Sequence, residues 1–142
     1  MRALLDVNVL IAVFDTEHVH HADAFTWWTK NRNDGWASCP LTQNGFVRII
    51  SGPRYPRPLA IADAIALMRT QMLVPGHVFW PDDVSLADSR RFDHGRLLGP
   101  GQITDAYLLA LAVQNDGRLV TFDRTISIAA VRGAEPQHVV SL

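Results

Sequence analysis

Three times in this chain a short segment runs into an aspartate: Leu4-Leu5-Asp6, Gln102-Ile103-Thr104-Asp105 and Leu119-Val120-Thr121-Phe122-Asp123. The apolar runs before Asp6 and Asp123 read as strands buried on both faces of a sheet. Strands of that kind belong to parallel sheets, where ligands bind beyond the carboxyl ends of the strands. Acids at such ends can gather along one edge. Whether Asp6, Asp105 and Asp123 converge there is the question on which the function of this chain turns.

Helical patterns fill the intervals. Val7 to Phe14 reads as a short helix that Asp6 caps through its side chain. His21 to Lys30 carries Ala22, Ala24, Phe25, Trp27 and Trp28 on one broad apolar side. Trp36 to Ser38 is a second strand. A helix follows from Pro40 to about Ser51, with Leu41, Gly45, Phe46 and Ile49 at helical spacing. Ala60 to Met72 is amphipathic, with Ile61, Ala64, Ile65, Met68 and Met72 on one face. His77 to Trp80 is a third strand, and Asp83 to about Phe92 a further helix. Thr104 caps the next helix, which ends at Asp116-Gly117. Arg118 to Thr121 is a strand, Ile126 to Val131 a short helix and His138 to Val140 a last strand. This alternation predicts one α/β domain over residues 1–142, with a mainly parallel sheet of four or five strands flanked by helices.

Composition excludes several function classes. With 48% hydrophobic and 19% charged residues, the chain is an ordinary globular one. A net charge of −1 gives it no global basic field. Twelve of its 13 cations are arginine, the better residue for bidentate phosphate contacts. The single cysteine, Cys39, rules out an internal disulfide and a thiolate-built zinc site. No segment approaches the ~20 apolar residues that span a bilayer, and no apolar leader precedes Asp6, so the cytoplasm is the expected location.

Taken singly, each aspartate has a structural explanation: a cap at Asp6, a helix-dipole partner at Asp105, a turn at Asp123. Taken together, three carboxylates at one edge repel unless a cation offsets them. Mg²⁺ or Mn²⁺ suits an all-oxygen donor set. Asp6, Asp105 and Asp123 are therefore the candidate metal ligands. Thr104, Thr121 and Asn8 are candidates to orient them.

These residues also carry a family resemblance. Leu4-Leu5-Asp6-Val7-Asn8-Val9-Leu10, Cys39-Pro40-Leu41-Thr42-Gln43-Asn44-Gly45-Phe46, Thr104-Asp105-Ala106 and Leu119-Val120-Thr121-Phe122-Asp123 resemble the PIN-domain ribonucleases, and more narrowly the VapC toxins of bacterial toxin–antitoxin pairs. The resemblance implies a PIN-like three-layer sandwich and Mg²⁺- or Mn²⁺-dependent cleavage of RNA by activated water. It also implies inhibition by a cognate VapB-type antitoxin, with Asp6, Gln43, Asp105 and Asp123 as the catalytic set. In the family pattern the position of Gln43 is a glutamate. The amide removes one negative charge, so weaker metal binding and slower catalysis are expected. A catalytically silent module that binds antitoxin or RNA is the alternative.

Other features are weaker. His18, His20 and His21 lack a second cluster of ligands and read as solvated helix-entry residues. The Gly99-Pro100-Gly101 loop has no phosphate-loop ending. Arg54, Arg57, Arg90, Arg91, Arg96 and Arg124 are candidates for a phosphate track, though solvated surface arginines explain any one of them. A receiver or phosphatase domain would need a lysine beside the acids, and the only lysine, Lys30, lies in an outer helix. Apolar surface around Trp27, Trp28 and Ile61 to Met72 exceeds what a small core needs, which suggests an antitoxin or a second copy of the chain as partner.

Overall fold

The two-residue alternation of the strands sorts the core into two layers. In the computed structural model, which describes residues 1–142, Leu4 of β1 (Ala3–Leu5) joins Ala37 and Leu119 on one face of the sheet. Ala3 and Leu5 join Trp36 and Val120 on the other. Ala37 and Trp36 belong to β2 (Trp36–Ser38), and Leu119 and Val120 to β4 (Arg118–Thr121). Helix α5 (Ile103–Gln114) covers the Leu4 face with Ala106, Leu108, Leu109 and Leu111. Helices α1 (Val7–Phe14) and α3 (Pro40–Ile50) cover the opposite face with Val9, Ile11, Phe46 and Ile50, helped by Ala24 of α2 (His21–Asn31) and Ala64 of α4 (Ile61–Met72).

All five strands are parallel, in the order β3-β2-β1-β4-β5, with β3 at His77–Phe79 and β5 at Val139–Ser141. The chain moves from β1 outward to β2 and β3, then returns to place β4 on the other side of β1. The direction of winding thus reverses between β1 and β4, and a crevice opens at the carboxyl ends of these two strands.

Local chemistry explains the elements around that crevice. Asp6 Oδ1 accepts the Val7 N–H at 2.7 Å and starts α1. Thr42 Oγ1 accepts the Cys39 N–H at 3.0 Å, and Asp82 accepts the Leu41 N–H at 3.1 Å, so the first turn of α3 is satisfied from two sides. Asn44-Gly45 serves packing and not a hairpin: a Cβ on Gly45 would stand 2.7 Å from Val7 Cγ2, so glycine lets α3 approach α1.

Several expectations are corrected. No helix forms over 83–92. There Ser85 Oγ accepts the Ala87 N–H and Asp88 Oδ1 accepts the Arg90 N–H, and these short loops compete with helical pairing. Residues 126–131 contain only a 3-10 turn, Ile128–Ala130. Helix α5 begins at Ile103 after a 3-10 turn over Pro100–Gln102, so Thr104 lies inside the first turn and caps nothing. Strand β5 starts one residue late because His138 Nδ1 accepts the Glu135 N–H and closes a turn over Pro136–His138. Of the apolar faces of α2 and α4, only Ala24 and Ala64 are buried, while Phe25 is 43% and Ile61 63% exposed.

Candidate active site

Asp6 and Asp123 follow β1 and β4 at the reversal point, and one buried hydroxyl ties them together. Thr121 Oγ1 donates to Asp6 Oδ2 at 3.1 Å and accepts the Asp123 N–H at 3.0 Å. Asp123 Oδ1 also accepts the Thr125 N–H and hydroxyl, each at 2.6 Å, which fixes the turn after β4. Asp105 arrives from the first turn of α5, where the helix dipole favours an acid.

The three carboxyls differ in proton affinity. Burial, followed by the charge of Asp6 and by the contact with Asp123, pushes Asp105 up to about 6. Burial also raises Asp6, against the Val7 N–H and the Thr121 hydroxyl, which favour its charge; the charge of Asp123 adds to the rise. Asp123 is held below the usual carboxylate range, chiefly by the hydrogen bonds from Thr125. The three acids thus sense one another.

The hollow between Asp105 and Asp123 is small. It has a volume of about 10 Å³, with Leu97, Ala106, Ile126 and Ala130 among its walls, room for one water-sized guest. An all-carboxylate donor set suits a hard divalent cation, whose charge would relieve the repulsion that lifts Asp105. The side chains do not stand in a ready cage: no three His, Cys, Asp or Glu groups are arranged to hold a metal ion.

The PIN domain family matches residues 3–132. The chain belongs to that family. Within it the chain is of the VapC type: Ribonuclease VapC44 of Mycobacterium tuberculosis is 55% identical over 142 residues, covering 100% of both chains. Ribonuclease VapC38 of the same organism is 43% identical over 142 residues, 99% of each chain. Among solved structures, VapBC2 from Rickettsia felis bound to a DNA fragment from their promoter shares the fold, with a TM-score of 0.53, 12% identity and coverage of 88% of this chain and 90% of that one.

The remaining predicted site residues of this PIN domain fall in two groups. Thr121 is fully buried and bonded to the acids. Asn8 and Thr104 are exposed and hydrogen-bonded to none of them. Gln43, on α3, turns its amide toward β2, the strand beside β1: Nε2 donates to Ser38 Oγ at 2.9 Å and contacts Met72 Sδ at 3.7 Å. Ser38 Oγ also pairs with His77 Nε2 at 2.8 Å. Burial, with the nearby Arg2 charge, disfavours the imidazolium of His77. Ser38 Oγ thus accepts from the Gln43 amide and shares a second hydrogen bond with His77 Nε2, whose direction depends on the imidazole tautomer. This chain of three side chains was invisible in sequence, because Ser38 and His77 are 39 residues apart.

The other sequence candidates lie apart from the acids. His21 Nδ1 is bonded to the Ala12 carbonyl at 2.7 Å, and His18 Nδ1 accepts the His20 N–H at 3.1 Å. The Cys39 thiol is buried and pushed up to about 11 by that burial, as an inert thiol should be. A cleft of about 520 Å³ opens between the α1–α2 and α3–α4 loops over Phe14, Phe46, Ile50 and Leu59, with the Arg57–Glu17 ion pair at its rim.

Removing the Thr121 hydroxyl should loosen the acid cluster without touching the core. Thr121→Val is expected to lower activity about 10- to 100-fold and to cost about 1 kcal/mol in stability. Steady-state cleavage rates and urea denaturation measure the two effects. Unchanged cleavage in a destabilised variant would show that the Thr121 hydroxyl serves the fold alone.

Proposed function

We propose that this PIN domain is an endoribonuclease toxin that hydrolyses RNA phosphodiester bonds with Mg²⁺ or Mn²⁺ held by Asp6, Asp105 and Asp123. The reading rests on one observation: Thr121 ties Asp6 to Asp123 at the carboxyl ends of β1 and β4, and Asp105 lines the same small pocket as Asp123. The relatives named as ribonucleases support the activity. When bound, the ion would lower the pKa of a water and offset charge on the phosphate. The protein holds the ligands for it. Thr121 fixes Asp6, and Thr125 with Thr121 fixes Asp123, so these two carboxylates are oriented in advance.

A VapB-type antitoxin is the proposed regulator, supported by the solved VapBC2 pair that shares the fold. Exposed apolar side chains on α4 and after it, Ile61, Ile65, Leu73 and Val74, supply surface for that antitoxin or for a second copy of the chain. No helix is long and apolar enough to cross a membrane, and the proposed place of action is the cytoplasm. Incubation of purified protein with a total RNA pool should give cleavage with Mn²⁺ and none after chelation. Cleavage that survives chelation, or that is equal in an Asp105→Asn variant, refutes the proposal.

The pairing of Gln43 with Ser38 and Met72 favours a second reading, a silent domain that binds RNA or antitoxin without turnover. Gln43→Glu decides between them. A carboxylate there adds a negative charge facing β2, the strand beside β1, and Mg²⁺ affinity depends on charge count. The variant is expected to cleave RNA about 10- to 100-fold faster at limiting Mn²⁺ and to bind Mn²⁺ more tightly. Equal rates and equal Mn²⁺ titrations would place Gln43 outside the catalytic set.

A further inference from the structure

Beside the acidic pocket, arginines are gathered in a way that the hydrolytic chemistry does not require. The segment 88–93 pairs with 130–132: the Arg132 N–H donates to the Arg91 carbonyl at 2.8 Å, the Asp93 N–H to the Ala130 carbonyl at 3.0 Å, and Phe92 bridges Val131. Arg132 Nε adds a bond to the Ser89 carbonyl at 2.9 Å. These contacts bring Arg90, Arg91 and Arg132 around one open hollow of about 340 Å³, whose only other lining residue is Asp88. Three guanidiniums face one carboxylate, an excess of two positive charges in a protein whose net charge is −1.

Asp88 arranges the cluster and leaves much of it free. Its two oxygens take Arg90 Nε at 3.0 Å and Nη2 at 3.1 Å, a fork that fixes Arg90. Arg91 Nε reaches Asp88 only at 3.9 Å, and Arg132 meets no carboxylate. The terminal N–H groups of Arg91 and Arg132 are therefore available to an anion. Two other arginines are engaged, Arg96 with Asp93 at 3.2 Å and Arg118 with Asn31 at 3.1 Å and Asp34 at 3.4 Å.

We propose that Arg90, Arg91 and Arg132 form a phosphate seat that holds the backbone of single-stranded RNA beside the Asp105–Asp123 pocket. Position carries the assignment. Ala130 lines the acidic pocket and Arg132 the arginine hollow, with only the buried Val131 between them. Two residues span at most ~7 Å, so the loop that walls the acidic pocket also carries the arginine hollow. A guanidinium fork matches the geometry of a phosphate. Contacts of this kind set position and affinity and carry no base preference. The seat rests on the nuclease reading for its purpose, but binding can be measured without turnover.

The test is binding of a short mixed-sequence single-stranded RNA, followed by fluorescence anisotropy across a salt series. It uses the Asp105→Asn protein so that the probe stays intact. Adding Arg91→Ala is expected to weaken binding about tenfold and to reduce the slope of log affinity against log salt by ~0.7, the loss of one phosphate contact on a single strand. Arg132→Ala should do the same; its melting temperature, taken alongside, separates lost contact from loosened loops. Arg32→Ala, in the exposed turn Arg32–Asp34 before β2, is the control and should leave both readouts unchanged. In the cleaving protein Arg91→Ala should raise KM and leave kcat nearly constant. Unchanged affinity and slope in folded Arg91→Ala and Arg132→Ala overturn the seat, as does tighter binding of duplex DNA that depends on the same arginines. Arginine-dependent RNA binding by a protein that never cleaves RNA would overturn the nuclease reading and keep the seat.

Discussion

Asp105→Asn is expected to abolish RNA cleavage and, at the same time, to make the metal-free protein more stable. The two effects have one origin. Asp105 is half-buried, and that burial, with the charges of Asp6 and Asp123, pushes its carboxyl from 3.8 up to about 6. A group whose proton affinity rises on folding contributes stability that is complete below its ordinary value and is lost as pH climbs through its folded value. The native protein should therefore lose stability between 3.8 and about 6 and remain at the lower level above that. An asparagine has no charge to desolvate, so the variant skips this loss. Asp105 is partly open to solvent, and after discounting for screening the gain above pH 6 is about 1 kcal/mol, or ~3 °C in melting temperature.

Metal reverses the ranking. A divalent ion that binds only the folded state raises the melting temperature with its concentration, and the native protein should show that rise with Mn²⁺ while the variant does not. Loss of several kcal/mol of transition-state charge stabilisation lowers the rate by about three orders of magnitude. The checks are melting curves from pH 4 to 8 with and without Mn²⁺, and cleavage rates on one RNA pool. A variant that melts below the native protein without metal at pH 7, or that cleaves at a comparable rate, would remove Asp105 from the site.

The parts of this molecule that depend on local pattern were legible in the sequence. Leu4 with its neighbours Ala3 and Leu5, and Leu119 with Val120, are apolar on both faces because a parallel sheet is covered on both sides. Asp6 was readable as a cap because a carboxylate before an apolar run satisfies a free helix N–H. What escaped depends on distant partners or on short-range competition. A helix over 83–92 has the right apolar spacing in Val84 and Phe92, both buried, but Ser85 and Asp88 capture backbone groups first. The faces of α2 and α4 are amphipathic whether or not anything covers them, so periodicity alone could not tell that Phe25 and Ile61 would stay exposed. The direction of the Gln43 amide is set by Ser38 and, through it, by His77 on another strand. The arginine hollow needs the pairing of Phe92 with Val131, a contact that no local rule announces.

Gly117→Ala should produce a large loss of stability from a single methyl group. In sequence Asp116-Gly117 looks like a helix end whose glycine takes the left-handed conformation. The structure assigns that conformation to Asp116, with φ 52°, and gives Gly117 an ordinary backbone. Glycine is needed for another reason. A Cβ there would stand 2.6 Å from Trp80 Cη2 and 2.8 Å from the Arg2 carbonyl oxygen. Neither neighbour can yield cheaply. Trp80 is 5% exposed and part of the core. The Arg2 carbonyl already accepts the Arg118 N–H at 2.9 Å, where β4 joins β1. Displacing it disturbs the strand pair that carries Asp6 and Thr121. Overpacking costs ~1–3 kcal/mol, and with both contacts rigid the upper end applies, about 3 kcal/mol or roughly 10 °C in melting temperature. Asp116→Gly is the contrast: it relieves a left-handed residue at some cost in unfolded-chain entropy, and should stay within about 0.5 kcal/mol of the native protein. If Gly117→Ala melts near the native temperature while Asp116→Gly shifts it by several degrees, the close approach of Trp80 and Arg2 is not what this glycine serves.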